Sequence, residues 1–312
     1  MTDDDFLAYL DAKRTVDDRA LHRPTFDRLT AELEGRATAR GDAPVRILEV
    51  GCGVGTMLDR LREWDALPVA VEYVGVDVAE TNIEEFADRL REGEFRAVGD
   101  RQFKFDSDDA DTQIDVSLHA ADAFEFATEQ EAETDDVPAF DLLIGMAFLD
   151  IVALDRALDA LLPLIDGGGL GYFPITFDGE TAFRPVEDAD RERRLMAAYH
   201  AAMDAPDRPG GSTTGRQLFD RFSAAGINVL AAGGSDWVVT PTIDGYQADE
   251  AVFLRHLVET VENALLHEAP ASATESVTDT EVSEWAKQRH EQIDRADLGY
   301  LAHNVDYLVE NP

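Results

Sequence analysis

A single stretch, Arg46–Leu58, constrains the fold of this chain more than any other part of the sequence. Apolar residues lead into glycines at positions 51, 53 and 55, and an amphipathic segment at helical spacing follows them. This pattern is typical of a buried strand, a tight turn and the N-terminus of a helix. Because glycine has no Cβ and tolerates positive φ, a ligand can contact the backbone of such a turn.

The spacing of the glycines separates three classes of ligand. A phosphate-binding loop would end in Gly-Lys-Ser/Thr, and that ending is absent here. The dinucleotide fingerprint is Gly-x-Gly-x-x-Gly, whereas in this chain the third glycine comes one residue early. The pattern Glu49-x-Gly51-x-Gly53-x-Gly55 resembles motif I of the class I S-adenosylmethionine (SAM) methyltransferases.

Further strands with polar ends follow this turn. Val71–Val78 is an apolar strand that carries Asp77 near its end, where an acidic residue can accept hydrogen bonds from ribose hydroxyls. Alternatively, Asp77 only caps the helix that begins near Thr81. Ile114–Phe124 alternates like a strand and reaches Asp122, and Phe140–Met146 reads as a fourth strand.

The resemblance to the methyltransferases implies a role for each of these residues. Glu49 would support the turn or bind the methionine amino group, and the glycines would line the cofactor. Asp77 would bind the ribose, Asp122 and the amide of Ala123 the adenine, and the carbonyl of Met146 the methionine end. The implied cofactor is SAM, and no metal is implied. The expected cofactor-binding residues are Glu49, Gly51, Cys52, Gly53, Gly55, Asp77, Val78, Asp122, Ala123 and Met146.

The resemblance also implies the fold, a Rossmann-like α/β domain with a seven-stranded sheet in the order 3-2-1-4-5-7-6. A closing hairpin is expected from 227–232 and 237–239. The 312 residues then divide into a helical N-terminal cap (1–40), a SAM-binding methyltransferase domain (41–245) with an insertion (178–214), and a helical C-terminal extension (246–312).

The charge of the chain limits its partners and its surroundings. The formal net charge is −38, and Lys13, Lys104 and Lys287 are its only lysines. Dispersed carboxylates with little lysine resemble proteins of halophilic archaea, which stay hydrated in molar salt. An acidic surface for a basic partner is the alternative, but it predicts clustered charge. A nucleic acid is disfavoured, because phosphate binding depends on basic side chains.

The methyl acceptor is expected to be a small molecule. After the fourth strand the chain has Met146–Asp150 instead of the Asn/Asp-Pro-Pro-aromatic element of enzymes that methylate nucleic-acid amino groups. Cys52 is the only cysteine, so the Pro-Cys nucleophile of cytosine C5 enzymes is missing as well. The lone Cys52 is expected to be a small residue that the turn tolerates. The expected function is methyl transfer from SAM to this acceptor; a SAM-binding sensor or assembly protein without transfer activity is the alternative.

Other candidate residues lie outside the motifs. His200 and His303 are possible catalytic bases, although a packed, hydrogen-bonded histidine is the alternative for each. Lys13, Arg14 and Arg19 could hold the SAM carboxylate or could be solvated helix charges. No apolar run suits a signal peptide or a membrane span, and a lone cysteine suits a reducing interior, so we expect a cytoplasmic protein. The sequence leaves the oligomeric state open.

Overall fold

The computed structural model describes residues 3–106, 112–133, 140–206, 208–269 and 277–312. Parts of two acidic runs, 107–111 and 134–139, lie outside the described residues. The helices are α1 (Asp3–Ala20), α2 (Arg23–Arg40), α3 (Thr56–Glu63), α4 (Glu80–Glu92), α5 (Ala123–Glu133), α6 (Leu154–Leu161), α7 (Ala189–Met203), α8 (Thr214–Ala224), α9 (Glu250–Asn263) and α10 (Asp279–Asp294). The strands are β1 (Val45–Val50), β2 (Ala70–Asp77), β3 (Arg96–Ala97), β4 (Gln102–Asp106), β5 (Gln113–Ala120), β6 (Phe140–Ile144), β7 (Ile165–Arg184), β8 (Asn228–Gly234), β9 (Trp237–Val239) and β10 (Gly299–Glu310).

The strands form one mixed sheet in the order β3-β4-β5-β2-β1-β6-β7-β10-β8. The five strands from β5 to β7 run parallel, and β10 pairs antiparallel with both β7 and β8. When β3 and β4 are set aside as additions at one edge, this is the expected Rossmann-like α/β architecture, and the predicted fold class is confirmed.

The central strands are buried because helices cover both faces of the sheet. β1 and β6 are almost entirely buried, as the strands of a parallel sheet require. One apolar layer packs α2, α3 and α4 against the sheet, and the opposite layer is formed with α5, α6 and α8. This arrangement places the turns after the central strands together at one edge, where ligands of open α/β sheets bind.

A third apolar cluster covers that edge. It joins α1, α7, α9 and α10 to the far end of β7 and to β9 and β10. Two of these helices begin with side-chain caps: Asp188 accepts hydrogen bonds from the first amides of α7, and Thr278 and Glu281 form a capping box at α10. Residues 3–40 thus form two helices, and α1 lies over the carboxyl ends of the strands. Among the helices that can be described, none is long and apolar enough to cross a lipid bilayer.

The prediction of a wholly helical C-terminal extension was wrong for its last part. Gly299–Glu310 is β10, which lies between β7 and β8 and so takes the place of strand 7 in the expected order 3-2-1-4-5-7-6, and β9 pairs with β10 instead of forming a hairpin with β8. The prediction of a helix for this segment placed Tyr300 and His303 on the same helical face. In a strand, Tyr300 and His303 lie on opposite faces because they are an odd number of residues apart.

A buried carboxylate on β10 holds a bulge in β7. Phe173 and Thr176 of β7 pair with the residues on either side of Asp306, so Pro174 and Ile175 together face this one residue. Asp306 is 0% exposed; its Oδ1 accepts the amide of Ile175 at 2.8 Å and its Oδ2 accepts the amide of His22 at 2.8 Å. The same side chain therefore fixes β7 and the junction between α1 and α2.

Replacing Asp306 with alanine should destabilise the protein by about 2 to 5 kcal/mol, because two buried amides lose their acceptor and each such loss costs about 1–3 kcal/mol. Asp306→Asn keeps one acceptor oxygen, so its free energy of unfolding should fall by less than that of the alanine variant. Urea denaturation followed by circular dichroism measures both values. A loss below about 1 kcal/mol for the alanine variant would contradict the role assigned to this side chain.

Candidate functional site

Two adjoining cavities lie at the carboxyl edge of the sheet. The first, here called the turn cavity, has a volume of about 530 Å³ and is bordered by the glycine turn, the ends of β2, β5 and β6, and α1. The second, here called the side chamber, has a volume of about 360 Å³. Six residues line both cavities, so they share a wall: Tyr9, Ala147, Asp150, Ile151, Trp237 and His256.

The three glycines of the turn have positive φ, but they serve different purposes. Gly51 and Gly53 line the turn cavity, with φ of 65° and 52°. A Cβ on Gly53 would meet only Leu10, at 3.8 Å, so this backbone is open to a ligand. A Cβ on Gly55 would lie 2.2 Å from the Phe86 ring, so the third glycine allows α4 to pack against the turn.

Asp77 lies at the end of β2 and borders the turn cavity. Its Oδ2 accepts the amide of Gly53 at 2.9 Å, and its Oδ1 accepts the amide of Ala79 at 2.9 Å and the Asn82 amide group at 3.1 Å. The carboxylate therefore braces the glycine turn and ties it to Ala79 and Asn82 at the start of α4. A carboxylate has about four acceptor positions, so about one remains for a ligand hydroxyl.

The residues after β5 border the same cavity from the other side. Asp122, Ala123 and Val78 all line it. Oδ1 of Asp122 accepts the amides of Phe124 and Glu125 at 2.9 and 3.2 Å, which caps α5. Val78 is 74% exposed, an unusual position for an apolar side chain. It therefore offers an apolar surface at the mouth of the cavity.

Two residues expected at the cofactor point away from the cavity. The buried Glu49 accepts a short hydrogen bond from the Tyr73 hydroxyl, and its burial raises the pKa of its carboxyl well above the ordinary value. The Cys52 thiol is packed in the core, where a Cβ on Gly75 would lie 3.2 Å from its sulfur. Burial raises the pKa of this thiol well above its usual range, so it is a neutral packing group.

A buried arginine that the sequence analysis missed locks α1 over the turn cavity. Arg60 of α3 is 0% exposed, and its guanidinium donates to Asp18 at 2.5 Å and to the sulfur of Met146 at 3.3 Å. Its Nη2 also lies 3.6 Å from Asp17. Met146 borders the cavity, so Arg60 joins the cover, the turn helix and the end of β6. In the sequence, the only indication of this role is that Arg60, a charged residue, falls on the apolar face of the helix predicted after the glycine turn.

Of the three basic residues proposed on α1, only Lys13 borders the turn cavity. Its ammonium lies 3.4 Å from Asp17 and 5.3 Å from the centre of the Trp237 ring. Arg14 pairs with Glu63 at 2.7 Å, and Arg19 pairs with Glu250 at 2.6 Å. Both arginines therefore fasten α1 to neighbouring elements.

The side chamber is built from the insertion and from the C-terminal elements. Thr181, Tyr199 and Arg208 come from the insertion, whereas Leu257 and Tyr300 come from α9 and β10. Its wall is mostly aromatic and apolar, as in pockets for small organic ligands. Folding thus places the insertion and the C-terminal elements, which no motif covers, next to the turn cavity.

Asp150, in the wall shared by the two cavities, has the most perturbed carboxyl group that borders them. Its Oδ1 is buried and makes no hydrogen bond. Burial raises the pKa of this carboxyl to about 6. Hydrogen bonds from the backbone amides of Asp150 and Phe177 and the charge of Lys13 act in the opposite direction. Tyr9 and Tyr199 line the same chamber; burial raises the pKa of both hydroxyls, and the charge of Asp150 adds to each shift. A polar group with a shifted pKa in a cavity is a candidate functional group.

Neither histidine named from the sequence borders the turn cavity or the side chamber. His200 lies 3.1 Å from the Thr181 hydroxyl, and His303 lies 2.6 Å from Asp236 on a partly exposed surface. His256 does border both cavities and stacks on Tyr9 at 3.8 Å between ring centres. Burial lowers its pKa, so its imidazole is neutral near pH 7. It lies on α9, remote from every motif, and nothing in the sequence pattern singles it out.

Comparison with known proteins gives matches among solved structures only. The sequence matches no protein-family model and no curated protein. A SAM-dependent methyltransferase from Archaeoglobus fulgidus is 12% identical, with a TM-score of 0.40 and coverage of 92% of this chain and 94% of that one. Geranyl diphosphate C-methyltransferase from Streptomyces coelicolor A3(2) is 13% identical, with a TM-score of 0.40 and coverage of 91% and 79%.

A third match is phosphoethanolamine N-methyltransferase 2 from Haemonchus contortus, which is 14% identical with a TM-score of 0.38. The match covers 90% of this chain but only 51% of that protein, so this chain spans about half of its length. The fold class of this protein follows from the strand order and connections described above.

Asp150→Asn should stabilise the protein at neutral pH. The unfolded carboxyl has a pKa of 3.8 and the folded one about 6. Between these values the folded state binds more protons, so the free energy of unfolding falls as pH rises. The variant removes this cost, which is at most about 3 kcal/mol. Its advantage in urea denaturation should therefore be larger at pH 7.5 than at pH 4.5.

The matched control is Asp244→Asn, which changes an exposed carboxylate that borders neither cavity. It should follow the wild-type protein at both pH values. An advantage of Asp150→Asn that is the same at both pH values would contradict the raised pKa.

Proposed function

We propose that this protein is a SAM-dependent methyltransferase that acts on a small molecule. One observation carries the proposal: the turn cavity, bordered by the open backbone of Gly53 and the carboxylates of Asp77 and Asp122, shares a wall with a second chamber. A cofactor in the first cavity would meet an acceptor in the second across that wall. The resemblance of the glycine turn to motif I supports SAM as the cofactor.

The residues present fit this cofactor. A Cβ at Gly53 would narrow the open turn, and the cavity of about 530 Å³ is within the usual range for organic ligands. Asp77 and Asp122 would hold the ribose and the adenine, and Lys13 would face the carboxylate of the methionine end. When bound, SAM supplies an electrophilic methyl group on a sulfonium. The chain then has to orient the acceptor and exclude water from it.

The acceptor is proposed to be small because the side chamber, which is lined by residues of α1, α7 and α9, holds about 360 Å³. The charge of −38 also disfavours nucleic acid, whose binding requires basic side chains. We place the protein in the cytoplasm of a cell, consistent with its single buried cysteine.

Asp77→Asn should weaken the binding of S-adenosylhomocysteine about 10-fold to 100-fold in isothermal titration calorimetry. A hydrogen bond to a charged acceptor is worth about 1.5–3 kcal/mol, and the asparagine keeps only a neutral oxygen. Glu72→Gln, which removes an exposed carboxylate from the same strand, is the matched control and should bind as the wild type does. Unchanged affinity in Asp77→Asn would contradict the ribose role.

Binding and turnover measurements also distinguish the proposed methyltransferase from two other functions, a dinucleotide-binding dehydrogenase and a SAM-binding sensor or assembly protein. If NADH binds to the wild-type protein and S-adenosylhomocysteine does not, the protein is a dehydrogenase and the proposal is wrong. If S-adenosylhomocysteine binds but SAM is never consumed with a pool of acceptors from a cell extract, the protein is a sensor or assembly partner.

We also propose that the chain is adapted to a salt-rich cytoplasm. Aspartate and glutamate number 65, against 27 lysines and arginines, so most carboxylates have no basic partner of their own. The melting temperature should rise by several degrees between 0.2 and 2 M KCl, because the screening length falls to about 3 Å at 1 M and relieves carboxylate repulsion. Differential scanning fluorimetry measures this, and a flat or falling melting temperature would contradict the adaptation.

A further inference from the structure

Building on the proposed methyl transfer, we propose that the acceptor is a small organic amine. The side chamber would hold it as an ammonium ion, between the Asp150 carboxylate and the aromatic rings of the chamber wall. The proposal rests on three features of the chamber: its rings, its charges and its position beside the turn cavity.

Five aromatic side chains from five different elements line the side chamber: Tyr9, Phe177, Tyr199, Trp237 and Tyr300. The face of an aromatic ring attracts a cation within about 6 Å, most strongly when water is excluded. An enclosed chamber with several such rings stabilises an ammonium group and also accommodates the apolar body of an amine. Leu257 and Ala264 extend this apolar surface.

The charges of the chamber are unbalanced in favour of a cation. Arg208 forms an ion pair with Glu268, and both line the chamber, so these two charges cancel. His256 is neutral near pH 7 because burial lowers its pKa. Within the described ranges, no basic group lies within ion-pair distance of Asp150, and Lys13 pairs with Asp17 at 3.4 Å. Asp150 therefore lines the chamber without an ion pair of its own, although the charge of Lys13, on the side of the turn cavity, also acts on it.

This balance also excludes anionic acceptors. A phosphate or carboxylate would be buried beside Asp150, while Arg208 is already engaged by Glu268. Burying like charges together costs several kcal/mol unless a cation compensates them. A neutral alcohol would fit the chamber but would leave the Asp150 carboxylate without a partner.

Asp150 can also accept the proton that an ammonium ion must lose before it reacts. The nitrogen first transfers a proton to the carboxylate, and its lone pair then forms the N–C bond to the methyl carbon. The C–S bond breaks and its electron pair stays on sulfur, which gives S-adenosylhomocysteine and the N-methylated ammonium ion. Asp150 releases its proton to solvent, so each turnover produces one proton.

The test measures binding to the wild-type protein saturated with S-adenosylhomocysteine, by calorimetry at pH 7.5. The probes share one body and differ in one group: 2-phenylethylamine, 2-phenylethanol and 3-phenylpropionate. The amine should bind at least about 10-fold more tightly than the alcohol, and the carboxylate should bind more weakly than both. An alcohol or carboxylate that binds as tightly as the amine, or an amine that does not bind, would overturn the inference.

Two variants test the groups involved. Asp150→Asn should abolish the preference for the amine, so that the amine and the alcohol bind to this variant with similar affinity. Tyr199→Leu, which removes one aromatic ring from the chamber wall, should weaken the binding of the amine several-fold more than the binding of the alcohol. Asp244→Asn is the matched control and should keep the preference for the amine. Retention of that preference in Asp150→Asn would contradict the role of this carboxylate.

The result for the cofactor is read separately. If S-adenosylhomocysteine does not bind to the wild-type protein, the proposed function itself fails. If it binds and the three probes show no preference for the amine, only the acceptor class is wrong.

Discussion

The carboxylate of Asp306 is the interaction on which the geometry of this protein depends. It is fully buried, and it accepts amides from the β7 bulge and from the junction between α1 and α2. Burial raises its pKa, and the hydrogen bonds from those two amides oppose the shift. The bulge brings Ile175 and Phe177 to the side chamber, and the junction sets the direction of α1 over both cavities. One side chain therefore positions the floor and the cover of the site.

Much of the fold could be predicted from the sequence because the parallel half of the sheet is built from local units. Each strand from β1 to β6 is followed by a turn and, except for the β3–β4 addition, by a helix, so periodicity and turn residues suffice. The strand between β7 and β8 could not be predicted in this way. β10 carries three polar residues within four positions, His303, Asn304 and Asp306, and their partners lie far away in the sequence, where no local pattern reveals them.

The site residues also fall into those that local sequence patterns could place and those that they could not. Asp77 and Asp122 could be placed because one ends a strand and the other comes two residues after a strand, and the turns after parallel strands meet at one edge. Glu49 and Cys52 show the limit of that reasoning, since a position in the motif does not reveal which way a side chain points. Arg60, Asp150 and His256 become significant only when α1, α9 and the insertion have packed over the edge. His200 and His303 were chosen by residue type alone, and residue type says little about where a side chain lies.

The position of β10 has a consequence for how the chain acquires its structure during synthesis. Both neighbours of this strand, β7 and β8, leave the ribosome before α9 and α10 have been made, so their facing edges wait without a partner. Unpaired edges promote association between chains. The high density of negative charge opposes such association while the edges are open. Tyr300 arrives with β10, so the aromatic chamber cannot be completed until β10 has been made.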